Sequence, residues 1–194
     1  MVGMAVLAHL PHRAVLAIGV SIIALSPLAL PPFAPAADVG AIVQQLLFRS
    51  APVAGAPVFI AYAIVPWLGV MAIGFGLGPL FIARRDQQRR TLLPLAIGLI
   101  ATFFVLRGLN GYGNPEKWQA FADPVRTAMS FFNVFKYPPS PDFVASTLGL
   151  SLLVYMAIGH LRGPVARILG DFGRTPLFTY IVHLYVARGL MLLA

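Results

Sequence analysis

The chain has 194 residues, of which 59% are hydrophobic and only 10% charged, with a formal net charge of +8. A soluble domain usually carries about 25% charged residues, so these charges are too few to cover a water-soluble surface and lipid must cover much of it. The absence of cysteine excludes disulfides, thiolate metal ligands and a cysteine nucleophile.

Five apolar stretches predict membrane-spanning helices, because about 20 apolar residues are needed to cross the hydrocarbon core. In chain order they are residues 14–30, 58–83, 92–106 (which reaches full length by including residues up to Asn110), 143–161 and 175–193. The second is the clearest, since residues 50–83 contain no Asp, Glu, Lys, Arg or His and residues 84–90 then contain four arginines. We therefore expect an all-α fold, a polytopic transmembrane helix bundle of about five spans forming a single integral membrane domain over residues 1–194.

The basic residues indicate an orientation. They lie before the first predicted helix, in residues 84–90 and in residues 162–174, whereas the loops 31–57 and 108–142 are nearly charge-balanced. Because cytoplasmic loops are enriched in Lys and Arg, we expect an integral membrane protein with a cytoplasmic N-terminus. The basic residues are not interleaved with aromatic residues as in single-strand binders, so we expect the lipid bilayer and no nucleic acid as a partner.

The first apolar stretch has a second interpretation. Arg13, an apolar run and then an A-x-A-like sequence at residues 34–37 are also typical of a cleaved signal peptide. The apolar run is long for a signal peptide, which favours a spanning helix.

Ionisable side chains at membrane depth are candidate functional groups, because burying them in hydrocarbon is costly. His183 lies near the middle of the fifth predicted helix, three residues after Tyr180 and four after Thr179, so the three share a helix face. This face could relay a proton or orient an acyl donor. The alternative is a buried histidine that bonds to another helix.

Two further cations stand near predicted helix ends. Arg107 leads into a Gly/Asn-rich turn and could hold an anion, although an arginine there more often extends to the membrane surface. Lys136 lies between Asn133 and Tyr137 in an aromatic stretch followed by two prolines, and a lysine is a point charge suited to a phosphate or carboxylate. The alternative is an interfacial aromatic anchor.

Several common site patterns are absent from the sequence. There is no metal-ligand spacing, no G-x-S-x-G elbow and no phosphate-binding glycine loop, and we expect no metal site. No carboxylate lies inside a predicted span, which disfavours a proton-coupled transporter. Gly74, Gly76 and Gly78 are spaced as in a small-residue face for close helix packing.

Four sequence blocks carry a family resemblance. Residues 62–78 (YAIVPWLGVMAIGFGLG), 106–113 (LRGLNGYG), 130–140 (SFFNVFKYPPS, followed by TLG at 147–149) and 172–184 (FGRTPLFTYIVHL) occur in the order seen in bacterial membrane proteins related to heparan-alpha-glucosaminide N-acetyltransferase. The resemblance covers nearly the whole chain. It is to the C-terminal half of such proteins, since the RG-containing helix and the histidine segment of their N-terminal half are not found here.

The resemblance implies a bacterial plasma membrane protein and transfer of an acetyl or acyl group from acetyl-CoA to a sugar-like acceptor. It would place His183 and Tyr180 as catalytic residues and Lys136, Arg107, Asn133 and Tyr137 near the acyl donor. It also implies that the chain alone is inactive and that its partner is the missing N-terminal half or another copy of itself. The alternatives are a non-catalytic membrane transporter, in which the glycine-rich second helix and Pro66 would allow rocking, and a structural fragment.

Overall fold

The computed structural model describes residues 2–29, 39–52, 59–60 and 62–193. Most of the chain is helical, so the all-α prediction is confirmed. The helices are α1 (Val2–Leu7), α2 (His12–Ala29), α3 (Val39–Phe48), α4 (Ile64–Ile82), α5 (Arg85–Leu109), α6 (Pro124–Phe132), α7 (Pro141–Ile158), α8 (Pro164–Arg174) and α9 (Pro176–Leu193). Two short strands, β1 (Ala51–Pro52) and β2 (Phe59–Ile60), pair antiparallel, with Ala51 opposite Ile60.

Each predicted span coincides with a helix, but not every one has the length of a span. Within the described residues, α4, α5 and α7 are long and apolar enough to cross a membrane, whereas α2 and α9 are apolar but shorter over their described parts. Three candidate spans are therefore established, and about five remains a prediction. Leu30 and the A-x-A-like sequence lie outside the described residues.

The helix ends follow local chemistry. The predicted second span begins at Ile64 rather than at residue 58, which puts Pro66 in the first turn of α4, where a missing backbone N–H costs nothing. Pro66 therefore produces no kink within α4. A tight connection joins α4 to α5, and the Gln88 side chain donates to the Phe81 carbonyl at 2.8 Å, one of the carbonyls that a helix C-terminus leaves unpaired.

The chain divides into two units, residues 1–153 and residues 154–194. The core of the first unit is formed by Ile23, Ile73 and Leu77, with partly buried side chains from α5 and α7 packed against them. In the second unit, α8 and α9 follow the end of α7, and the side chains of both helices are largely exposed.

Glycines allow α2 and α4 to approach closely. Of the three glycines predicted to form a packing face, only Gly76 lies at this contact. A Cβ on Gly76 would lie 2.6 Å from Leu16 Cβ, and one on Gly19 would lie 2.7 Å from the Ile73 nitrogen. Nothing lies within 4 Å of such an atom on Gly74 or Gly78. The predicted face was wrong for these two because 3.6 residues per turn point them away from α2.

Candidate functional site

Arg107 lies in the last turn of α5 and binds the connection between α5 and α7 (residues 110–140). Its side chain is 2% exposed. The guanidinium donates to the carbonyls of Phe131 (2.8 Å), Ser130 (2.8 Å), Asn133 (3.1 Å) and Glu116 (3.3 Å). Because α6 ends at Phe132, the bonds to Ser130, Phe131 and Asn133 satisfy carbonyls at its C-terminus, where the helix dipole also favours a cation. The interpretation that Arg107 extends to the membrane surface is wrong, because carbonyls bind it inside the protein.

Asp142 is the buried counter-ion of Arg107. The two side chains are separated by 3.9 Å between Nη1 and Oδ2, and Asp142 is 1% exposed. Among the described residues, none donates a hydrogen bond to either carboxylate oxygen. The carboxylate also lies in the first turn of α7, where the positive end of the helix dipole stabilises it.

The sequence interpretation missed Asp142, because it began the fourth helix at residue 143. Ser140 and Pro141 carried the missing signal. Serine is a preferred N-cap and proline a preferred first helical residue, and in the structure the Phe143 N–H donates to Ser140 Oγ at 3.1 Å. A helix begun at Pro141 places a carboxylate inside the span.

Two asparagines stabilise the connection between α5 and α7, which includes α6. Asn110 ends α5 in the left-handed conformation (φ 50°), and its side-chain amide bonds to the backbone N–H and carbonyl of Trp118, each at 3.0 Å. Asn114 Oδ1 accepts from the Phe135 N–H at 2.7 Å and from Ser140 Oγ at 3.3 Å. The predicted loop 108–142 is therefore an ordered structure anchored on Arg107.

Gly113 brings the backbone of this connection against Asp142. Its φ of +100° is one that L side chains rarely adopt, and a Cβ there would lie 2.3 Å from Asp142 Oδ1. The Asp142 N–H also donates to the Gly113 carbonyl at 3.4 Å. Only glycine fits both the backbone conformation and the space.

Lys136 and Tyr137 lie in the connection between α6 and α7 and belong to an aromatic cluster with Tyr62 and with Trp67 of α4. The Lys136 Nζ lies 5.1 Å from the Tyr137 ring centroid, and the Tyr137 and Tyr62 hydroxyls are 3.5 Å apart. Trp67 lies 5.3 Å from Tyr62 and 6.2 Å from Tyr137, measured between ring centroids. The hydrogen bond with Tyr62, and then the one with Lys136, lower the pKa of the Tyr137 phenol. The cluster joins an exposed cation to three aromatic rings.

A cleft of about 310 Å³ lies beside this connection. The charged and hydrogen-bonding side chains of its lining are those of Ser26, Arg49, Tyr112, Asn114 and Ser140. Burial raises the pKa of the Tyr112 phenol, whose hydroxyl donates to the Ala24 carbonyl. The cleft therefore places one cation and several polar side chains beside the C-terminal end of α2.

The second unit contains the other two candidates. On α9, the ring centroids of Tyr180 and His183 lie 5.1 Å apart, which confirms that they share a face. Thr179 Oγ1 donates to the carbonyl of Thr175, the residue before α9, at 3.0 Å. The side chains of Tyr180 and His183 are both exposed.

The six predicted site residues thus fall into distinct groups. Lys136 and Tyr137 are in contact, Arg107 and Asn133 are joined through the Asn133 backbone carbonyl, and Tyr180 and His183 are neighbours in the second unit. Over the described part of the chain, no three His, Asp or Glu side chains come together as metal ligands would.

Comparisons with protein-family models, with curated proteins and with solved structures found no match to this chain.

Proposed function

We propose that this chain is part of an integral membrane acyltransferase-like protein, which transfers an acetyl or acyl group from acyl-CoA to a sugar-like acceptor. We further propose that it resides in a bacterial plasma membrane with its N-terminus in the cytoplasm. The four sequence blocks described above support this function, and they include all six predicted site residues. The observation that carries the proposal is the cluster of Lys136 with Tyr137, Tyr62 and Trp67.

The cluster suits the non-reacting part of the acyl donor. Coenzyme A carries phosphates and a flat adenine ring. An exposed lysine attracts phosphates, and aromatic faces stack on a base. The ordered connection around Arg107 supports the backbone that carries Lys136, because Arg107 bonds to the Asn133 carbonyl three residues earlier. In this proposal Arg107 and Asn133 are positioning residues.

His183 and Tyr180 are the proposed reacting groups. The acceptor nitrogen or oxygen bonds to the acyl carbon, the carbon–sulfur bond breaks, and the proton lost by the acceptor passes through His183 to the departing thiolate. A histidine suits this step because its ordinary pKa lies near neutrality. Tyr180 is the neighbouring hydroxyl that could hold the acyl carbonyl oxygen.

Acetyl-CoA binding to the full chain in detergent micelles tests the donor site. Lys136→Ala should weaken binding by about tenfold or more, as expected for the loss of one charge-assisted contact to phosphate. Lys117→Ala is the matched control, because Lys117 is exposed in the same connection and its loss changes the charge equally. Equal affinities of the two variants would remove Lys136 from the site.

Acyl transfer itself is tested by acetyl-CoA consumption with amino-sugar acceptors, using the chain alone and together with a protein supplying the N-terminal half of the resembled family. His183→Ala should abolish transfer, while His160→Ala, another exposed histidine, should preserve it. Solute flux in proteoliposomes without acyl transfer would assign transport instead.

A further inference from the structure

Helix α8 separates its apolar and its charged side chains onto two faces. Four apolar side chains recur at the spacing of one helix face, and they are Val165, Ile168, Leu169 and Phe172. These four side chains are between 39% and 55% exposed. Three charged side chains recur at the same spacing on the opposite face, and they are Arg167, Asp171 and Arg174. The second unit therefore presents an exposed apolar face whose opposite side is charged.

The length and position of α8 place it at the bilayer surface. Its 11 residues extend about 16 Å at 1.5 Å per residue, which is about half of the hydrocarbon core. The preceding helix α7, which is long and apolar enough to cross a membrane, ends at Ile158, and α8 begins at Pro164. The chain between these residues extends at most about 20 Å. Because α8 is too short to cross the bilayer and starts close to the end of α7, it lies near the membrane–water boundary.

The backbone at both ends makes α8 a helix of its own. Gly163, just before it, has a φ of 81°, which lies in the left-handed region that favours glycine. Thr175 ends α8 with non-helical backbone angles (φ −122°, ψ 55°), and Pro176 then begins α9. Because α8 continues neither α7 nor α9, its axis can follow the plane of the membrane while its neighbours cross that plane.

The charges of this segment are mainly positive. Residues 162–174 contain three arginines and one aspartate. Asp171 Oδ1 lies 3.6 Å from Arg174 Nη1 in an exposed ion pair, so Arg162 and Arg167 provide the net positive charge. Basic residues next to a membrane span are attracted by the anionic lipids of the cytoplasmic leaflet, the side on which the sequence predicts this segment. The charge therefore complements an anionic bilayer surface.

We propose that α8 binds an anionic lipid surface and lies in its plane, with the apolar face among the acyl chains and the arginines beside the headgroups. An amphipathic helix in this position buries its apolar face about 5–10 Å into the boundary between headgroups and acyl chains. Lipid is therefore the occupant of the exposed face, and its negative charge is what α8 selects. This surface is separate from the cluster around Lys136 and does not depend on acyl transfer.

Spin labels on the full chain test the position of α8. Because the chain has no cysteine, a nitroxide can be attached at one chosen residue, by Ile168→Cys on the apolar face or by Gly170→Cys beside the arginines, where an added Cβ meets nothing within 4 Å. In nanodiscs of phosphatidylglycerol and phosphatidylcholine in equal parts, the label at position 168 should collide mainly with oxygen, which concentrates in the bilayer. The label at position 170 should collide mainly with a water-soluble nickel complex. A label at position 168 that is shielded from both reagents would show that protein covers this face, and one as open to nickel as position 170 would show a helix in water. Either result would overturn the proposal.

Charge variants of the chain labelled at position 168 test the choice of anionic lipid. Arg167→Gln should lower the ratio of the membrane-bound to the unbound spectral component about fivefold, the effect expected of one basic residue near an anionic surface. Arg126→Gln is the matched control, because it removes the same charge from an exposed position on α6, and it should leave the ratio unchanged. Asp171→Asn should raise the ratio, because it removes the carboxylate that opposes the arginines. Equal ratios for the chain with its natural charges in phosphatidylcholine alone and in the mixed bilayer would overturn the assignment to anionic lipid.

Discussion

Replacing Arg107 with methionine should destabilise the first unit strongly. Methionine keeps much of the side-chain length but removes every N–H donor. The substitution removes the bonds to four carbonyls, of which that of Glu116 keeps a second donor in Asn114, and it leaves the Asp142 carboxylate without its counter-ion. The ordered connection between α5 and α7 should therefore lose its anchor.

The size of the effect can be bracketed from these contacts. Four side-chain hydrogen bonds at the average of about 0.6 kcal/mol measured in a membrane protein give about 2.4 kcal/mol. Removing one partner of a buried ion pair costs about 3–5 kcal/mol. We expect Arg107→Met to lower the free energy of unfolding by about 2–5 kcal/mol. Asp142→Asn should cost less, because the carboxylate accepts no hydrogen bond from the described residues.

Reversible unfolding in mixed micelles, followed by circular dichroism, measures this difference. Arg90→Met is the control, since Arg90 lies on the same helix but is exposed, and such changes usually stay within about 0.5 kcal/mol. An Arg107→Met variant as stable as Arg90→Met would refute the conclusion that the carbonyls and Asp142 hold this arginine.

Three further substitutions test other contacts. Gly113→Ala should destabilise the first unit by about 1–3 kcal/mol, because the backbone is strained for alanine and the new methyl group meets a buried carboxylate. Gly74→Ala, whose methyl group would meet nothing within 4 Å, should not destabilise it, and the same unfolding assay compares the two variants. Gly76→Leu should separate α2 from α4 and lower the unfolding temperature, whereas Gly74→Leu should leave it nearly unchanged. Tyr62→Phe should raise the pKa of Tyr137, which the hydrogen bond with Tyr62 lowers, and ultraviolet titration of the phenolate measures the change. The folding stability that this lowered pKa contributes is present above the unfolded pKa near 10 and is lost as the pH falls through the folded pKa.

The spanning elements were the predictable part of the fold, because hydrophobicity and length decide them. Four helices were missed: α1, α3, α6 and α8. They are short segments within what hydropathy treats as ends and loops. For α6 a local signal existed in Asp123 followed by Pro124, since the Asp123 carboxylate accepts from the Val125 N–H at 2.9 Å, a typical cap before a proline.

The candidate residues could be singled out from the sequence, but their contacts could not. Unusual chemistry near a helix end singled out Arg107 and Lys136. Their different environments depend on contacts between positions more than twenty residues apart, such as that of Arg107 with Phe131. Helix periodicity does not predict contacts between residues so far apart in the sequence. It did predict the contact between Tyr180 and His183, which lie about one turn apart.

The two cations of the connection have opposite environments, and this difference determines what each can do. Arg107 uses four of its five N–H groups on backbone carbonyls, and the remaining group faces Asp142. Lys136 has an exposed ammonium group over an aromatic ring. A ligand phosphate at Arg107 would have to displace backbone carbonyls from a guanidinium that is 2% exposed, whereas one at Lys136 displaces water. The arginine is therefore the part that holds the connection in shape, and the lysine is the part that a phosphate can reach.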